Sequence, residues 1–230
     1  MAGQMVKFQA NGGTTDGYLA TPASGRGPGV VVIQEWWGLN DQVKGVADML
    51  AREGFVALAP DFYHGKGAKI GEPDAAGKLM MELQEAGTAA KDGKAAAGYL
   101  RSRPEVASRK LGVIGFCMGG LLALLTAGEA SDAIGAVVDC YGVGSSKPNF
   151  SALKGIPVLG IFGGKDHGAG ADAIAALERQ LTEAGAPFTK HVYPEAGHAF
   201  LNEQRNDAHR ADDAKDAWSN ILPFLKSNVR

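Results

Sequence analysis

Short runs of apolar, largely β-branched residues recur along this chain and constrain its fold more than any other feature of the sequence. The runs are almost continuous in apolar residues instead of alternating with polar ones, which is typical of strands covered on both faces in a parallel sheet. They occupy residues 29–34, 55–59, 110–116, 134–141, 156–162 and 188–193. Two earlier stretches, 6–10 and 14–20, flank Asn11-Gly12-Gly13 and predict an antiparallel N-terminal hairpin.

Helical patterns separate these strands. They cover residues 41–53, 75–101, 118–128, 171–184 and 207–226, and the second is expected to form two helices that break near Gly87 or Gly93. Alternating strands and helices predict an α/β fold: a three-layer, mostly parallel twisted sheet with helices on both faces. Because no repeat or linker divides the chain, we expect one domain over residues 1–230.

Composition and charge argue against several classes of protein. The net charge of −2 and the lack of a basic stripe argue against nucleic-acid binding. The N-terminus lacks the apolar segment of a secretory signal, and no apolar run approaches the ~20 residues of a membrane span. The two cysteines, Cys117 and Cys140, are too few for a disulfide framework. We therefore expect a cytoplasmic protein, a monomer or weak homo-oligomer, with no metal site because the ligand spacings are absent.

A glycine-rich turn with a central cysteine follows the strand at 110–116. The sequence Gly115-Phe116-Cys117-Met118-Gly119-Gly120 has the pattern of a nucleophile elbow, with cysteine where serine is usual. Glycines two positions to either side allow the sharp strand-to-helix turn, and the free N–H groups of the following helix favour negative charge at the same place. Cys117 is therefore the predicted nucleophile, although a buried structural cysteine would fit the same residues.

An acid and a histidine follow two later strands. Asp166 follows the strand at 156–162, and His198 follows the strand at 188–193. The order nucleophile, acid, histidine is that of α/β-hydrolases and differs from that of chymotrypsin or subtilisin. Asp139 and Glu195 remain competing acids.

The turn after the strand at 29–34 reads Glu35-Trp36-Trp37-Gly38. In a hydrolase, its backbone would supply one oxyanion donor, and the residue after the nucleophile, Met118, would supply the other. A carboxylate here suits a thiol, because Glu35 could hold or accept the proton of sulfur until substrate arrives. A salt-bridged structural Glu35 is the alternative. The two tryptophans are expected to wall a pocket.

The segments QEWWG, GFCMGG, GGKDH and EAGHAF, in this order, resemble the dienelactone hydrolase family of α/β-hydrolases over nearly the whole chain. The resemblance implies a triad of Cys117, His198 and Asp166, with Glu35 as the thiol-activating carboxylate. It implies that the amides of Trp36 and Met118 form the oxyanion hole. It also implies no cofactor, no large lid and an ester- or lactone-cleaving reaction.

The chain departs from the family where substrate binds. The family places a carboxylate-binding arginine soon after the histidine, but here the nearest is Arg205. A second expected arginine is absent from residues 71–78. The residues expected to contact substrate are Trp37, Phe200, Met80 and Met81. We therefore expect a small ester or lactone that is less anionic than a dienelactone. The alternative is a catalytically idle binding or thiol redox-sensing protein, with Cys140 as a possible second thiol.

Overall fold

Eight strands form one sheet in the order β1-β2-β4-β3-β5-β6-β7-β8. The structure is a computed structural model that describes residues 3–144 and 146–230. The strands are β1 (Gln4–Ala10), β2 (Gly13–Ala20), β3 (Gly29–Ile33), β4 (Val56–Pro60), β5 (Leu111–Phe116), β6 (Ile134–Cys140), β7 (Val158–Gly163) and β8 (Phe188–Tyr193). The first two form an antiparallel hairpin that pairs with β4, and the other six are parallel. The predicted mostly parallel sheet and its hairpin are confirmed.

Helices cover both faces of the sheet. They are α1 (Asp41–Arg52), α2 (Pro73–Ala86), α3 (Ala89–Arg101), α4 (Met118–Glu129), α5 (Ala171–Glu183) and α6 (Ala211–Asn228). One core cluster packs α1 and α6 against the sheet, and a second packs α2 to α5 against the opposite face. The two clusters give the three layers expected from nearly continuous apolar strands. No helix in the described residues combines the length and apolar character needed to cross a bilayer.

Local chemistry sets the helix boundaries. The predicted break between α2 and α3 lies at Gly87, whose φ of 61° ends α2 in the left-handed region. Gly93 instead lies inside α3, where a Cβ atom would come within 2.0 Å of the Thr126 hydroxyl oxygen. The predicted start of the last helix at residue 207 was wrong. Residues 205–210 form turns, in which the Arg210 N–H donates to the Phe200 carbonyl, and α6 begins at Ala211.

Most strand boundaries differ from the prediction by one or two residues, and the shifts of β7 and β4 have a clear local cause. β7 begins at Val158, two residues late, because the Ile156 N–H donates to the Leu153 carbonyl and Pro157 has no N–H. β4 covers residues 56–60 in place of 55–59, since the Phe55 N–H closes the end of α1 on the Leu50 carbonyl. Neither shift moves Glu35, Cys117, Asp166 or His198, because these residues follow the carboxyl ends of parallel strands, where α/β sheets place their sites.

Candidate active site

Cys117 lies on a strained turn between β5 and α4. Its φ of 57° and ψ of −125° are unusual for a residue with a side chain. The flanking glycines make the turn possible: a Cβ atom at Gly115 would lie 1.8 Å from the Gly119 carbonyl oxygen, and one at Gly119 would lie 2.4 Å from that of Gln34. The Cys117 N–H donates to the Cys140 carbonyl, and the half-buried thiol remains accessible. Met118 begins α4, so its N–H is one of the unsatisfied donors at the helix start.

Three side chains that are distant in sequence form one hydrogen-bonded chain. His198 Nε2 lies 2.9 Å from Cys117 Sγ, and His198 Nδ1 lies 2.7 Å from Asp166 Oδ2. The other oxygen of Asp166 accepts hydrogen bonds from the backbone N–H groups of Gly168 and Ala169, at 2.7 and 3.1 Å. The acid is therefore fixed by its own loop, and it fixes the orientation of the imidazole ring.

The site raises the proton affinity of the imidazole. Burial alone would lower the pKa of His198, but its hydrogen bonds with Asp166 and Cys117 raise that pKa to about 10. Burial alone would raise the pKa of Asp166, but the bonds from His198 and the two backbone amides hold it below its usual value. The imidazole can consequently accept and retain a proton that the neighbouring thiol releases.

The two competing acids lie elsewhere. Asp139 is fully buried at the end of β6, where its Oδ1 accepts a hydrogen bond from the Gly142 N–H over 2.8 Å, and burial raises its pKa to about 8. Glu195 is exposed and forms an ion pair with Lys165. Asp166 is thus the carboxylate that contacts His198.

Glu35 is buried, and its contacts were not foreseen from the sequence. Asn202 Nδ2 donates to Glu35 Oε2 over 2.8 Å, and the Tyr141 hydroxyl donates to Oε1 over 3.4 Å. Burial raises the pKa of the Glu35 carboxyl group. In this arrangement the thiol of Cys117 is paired with His198 and Glu35 with Asn202 and Tyr141, and the hypothesis that Glu35 holds or accepts the thiol proton stays a prediction. Asn202, four residues after His198, and Tyr141, directly after β6, could have been flagged by their positions alone.

An open pocket of about 580 Å³ lies beside Trp36. It is lined by Trp36, Trp37, Ile70, Gly71, Pro73, Gln204, Arg205, Asn206 and Asp207. Trp36 is half-buried and Trp37 is 3% exposed. The Arg205 guanidinium donates to both carboxylate oxygens of Asp207, over 2.8 and 2.6 Å. The predicted tryptophan wall therefore exists, and Arg205, the nearest arginine after His198, lines the same pocket with its charge paired to Asp207.

Three of the residues predicted to contact substrate do not line this pocket. Phe200 is fully buried and packs against Tyr141 and Tyr193, because its loop turns inward immediately after His198. Met80 and Met81 lie along α2, and Met81 is 57% exposed. Only Trp37 of the four lines the pocket. Among the described residues, no group of three histidine, cysteine or acidic side chains could hold a metal ion.

Comparison with known proteins assigns the chain to a family. The model of the dienelactone hydrolase family matches residues 15–229. The chain belongs to the dienelactone hydrolase family. Membership makes it a hydrolase that acts on lactones or esters, as the sequence predicted.

Relatives in the family match over nearly their whole length. Protein usf of Aquifex pyrophilus is 40% identical over 230 residues, covering 97% of this chain and 98% of the relative. A protein of Bradyrhizobium sp named "Probable 2-oxo-3-(5-oxofuran-2-ylidene)propanoate lactonase" is 33% identical, covering 96% and 92%. The crystal structure of a dienelactone hydrolase from Anabaena variabilis superposes with a TM-score of 0.70 at 20% identity, covering the whole of both chains. That last likeness concerns the fold alone.

Proposed function

We propose that this dienelactone hydrolase family member is a cysteine hydrolase that cleaves small esters or lactones through a thioester intermediate. The observation that carries the proposal is the hydrogen-bonded chain from Cys117 Sγ through His198 to Asp166, with distances of 2.9 and 2.7 Å. A nucleophile, a base within reach of it and a third group that orients the base form the arrangement that covalent acyl transfer requires.

In the first step, Cys117 Sγ attacks the carbonyl carbon of the substrate, and the thiol proton passes to His198 Nε2. The carbonyl oxygen becomes an oxyanion, which the backbone N–H groups of Trp36 and Met118 stabilise. Loss of one such donor lowers kcat by about 10²- to 10³-fold in comparable enzymes. The helix N-terminus at Met118 adds a favourable dipole.

In the second step, the tetrahedral intermediate collapses and the carbon–oxygen bond to the alcohol breaks. His198 gives its proton to the departing alkoxide, leaving the acyl group on sulfur. Water then attacks the thioester while His198 Nε2 accepts its proton, and the acid leaves as the thiol is restored. Asp166 keeps Nδ1 protonated throughout by accepting its hydrogen bond. Nε2 is therefore the nitrogen that exchanges protons with the thiol, the leaving group and water.

The pocket beside Trp36 supports a small substrate without a strong negative charge. Its volume is at the lower to middle part of the range for small-molecule sites. Its one lining guanidinium, Arg205, is already occupied by Asp207 in a two-oxygen contact, so an anionic group would have to displace a carboxylate. A five-membered lactone ring fits the class, because the name of the Bradyrhizobium relative describes an oxofuran ring, whereas the propanoate carboxylate in that name is the part that this pocket would disfavour.

The decisive experiment replaces the nucleophile. Cys117→Ala is expected to lower the turnover of p-nitrophenyl acetate by at least ~10³-fold, because loss of a nucleophile removes the covalent route. The control is Cys140→Ala, which removes the buried second cysteine and should leave turnover within about twofold. Mass spectrometry of the wild type quenched during turnover should show an acetyl group on Cys117. Unchanged turnover in Cys117→Ala would overturn the proposal.

A further inference from the structure

The buried carboxylate of Glu35 is held by neutral donors from two other loops. Glu35 is 1% exposed, and Asn202, which donates to it over 2.8 Å, is fully buried. The Asn202 Oδ1 accepts a hydrogen bond from the Gln204 N–H over 3.0 Å. Because that bond fixes the oxygen end of the amide, the N–H₂ end must face Glu35. The contact is therefore a directed bond to the carboxylate.

The surroundings of Glu35 make this bond important for its charge. Burial disfavours the ionised carboxylate, whereas the nearby charges of His198 and Arg205 favour it. Tyr141 and Cys140 also face Glu35, and burial raises the pKa of both groups well above its usual range, so they remain neutral. Of the two hydrogen bonds that Glu35 accepts from side chains, the one from Asn202 is the shorter, at 2.8 Å against 3.4 Å from Tyr141.

We propose that Asn202 is a positioning residue that keeps the Glu35 carboxylate ionised and close to His198. The negative charge then stabilises the imidazolium that forms when Cys117 releases its proton. This inference rests on the proposed cysteine mechanism. It assigns Glu35 a role through the histidine in place of direct contact with the thiol, and it assigns a function to a residue that the sequence did not single out.

The bond also joins two parts of the site. Glu35 directly precedes Trp36, whose N–H is a proposed oxyanion donor, and Asn202 lies on the loop that carries His198. A single contact of 2.8 Å thus ties the loop after β3 to the loop after β8. Loss of the Asn202 amide should mainly raise the pKa of Glu35, because fewer contacts would then offset the effect of burial on its carboxylate.

The test is the pH dependence of kcat/KM for p-nitrophenyl acetate. Asn202→Leu, which has a similar volume, should move the acid limb upward by about one pH unit or more, as expected from loss of a hydrogen bond to a charged group. Asn202→Asp keeps the acceptor for Gln204 but places a second carboxyl group against Glu35. The two groups then share a proton, and the shift should be at least as large. If Asn202→Leu does not fold, the pH dependence of kcat/KM is measured with Asn202→Asp alone.

A double-variant experiment separates positioning from a purely structural role. In a Glu35→Gln background the group that titrates is gone, so adding Asn202→Leu should not move the acid limb further. Asn220→Leu is the matched control, because Asn220 donates a hydrogen bond to Asp216 on the surface of α6. It should leave the profile unchanged.

Two results would overturn the inference. One is a folded Asn202→Leu or Asn202→Asp variant with the wild-type acid limb, and the other is an equal shift in the Glu35→Gln background. Both results concern only the pH dependence of kcat/KM, which is measured in variants that retain Cys117. Turnover that survives Cys117→Ala would instead remove the proposed function itself, so the two failures are distinguishable.

Discussion

Asp139 offers a quantitative test of the electrostatics around the nucleophile elbow. Its carboxyl group is fully buried, with one hydrogen bond from the Gly142 N–H and no partner for Oδ2 among the described residues. Burial raises its pKa to about 8 in the folded chain. In the unfolded chain it should titrate near ~3.9, the ordinary value for aspartate. Between these two values the folded state binds one more proton than the unfolded state.

The sign and size of the effect follow from linkage. Because the folded pKa is the higher one, this group stabilises the fold most at low pH, and its contribution falls as pH rises towards 8. The free energy of unfolding should decrease by about 1.4 kcal/mol per pH unit, or about 3 kcal/mol between pH 5 and pH 7. Asp139→Asn removes the titrating proton while keeping an oxygen for the Gly142 N–H. Any fixed effect of the new amide shifts the stability without changing its dependence on pH.

The assay is urea unfolding of the wild type and Asp139→Asn at pH 5, 6 and 7. We expect the free energy of unfolding of the variant to rise relative to that of the wild type by about 3 kcal/mol over this interval. All other titrating groups are common to both proteins and cancel in the difference. A constant difference across the three pH values would refute the reasoning, and it would mean that Asp139 is ionised in the folded protein.

Two further predictions concern the site. Asp166→Asn should lower the pKa of His198 from about 10, because it removes the carboxylate partner of the imidazole. The alkaline limb of kcat/KM should therefore move to lower pH, and kcat should fall by up to about 10⁴-fold. An unmoved alkaline limb would contradict this. Asp207→Asn should free the Arg205 guanidinium and raise kcat/KM for an ester that carries a carboxylate, relative to p-nitrophenyl acetate, by about fivefold to tenfold. Asp213→Asn breaks a comparable surface ion pair and should leave that ratio unchanged.

The architecture could be predicted because its signals are local. Apolar runs mark each parallel strand, and α1 follows Asn40, a residue type that often caps helices, whose Oδ1 accepts a hydrogen bond from the Val43 N–H. The start of α6 could not be found in this way. In the loop before α6, the Arg210 N–H donates to the carbonyl of Phe200, ten residues earlier. A periodic pattern of apolar residues does not reveal such a contact.

The site was predictable only in part, for a related reason. Cys117, Asp166 and His198 each follow a strand end, so topology alone brings them together. The partners of Glu35 are set by how three loops pack, and that packing depends on the φ of 48° at Tyr141 and on the inward turn after His198. The same inward turn buries Phe200, which the motif had placed against substrate.

The close packing around the nucleophile elbow means that its glycines are required by the fold, whereas Cys117 is required only by the proposed reaction. A methyl group at Gly115 or Gly119 would overlap main-chain oxygens, at 1.8 and 2.4 Å, whatever atom Cys117 carries. A descendant that lost all activity would therefore keep those glycines simply to fold, whereas it could exchange the sulfur freely. Survival of the glycine pattern in a distant homologue is therefore evidence of common ancestry, whereas evidence of turnover requires the nucleophile, the imidazole and its carboxylate together.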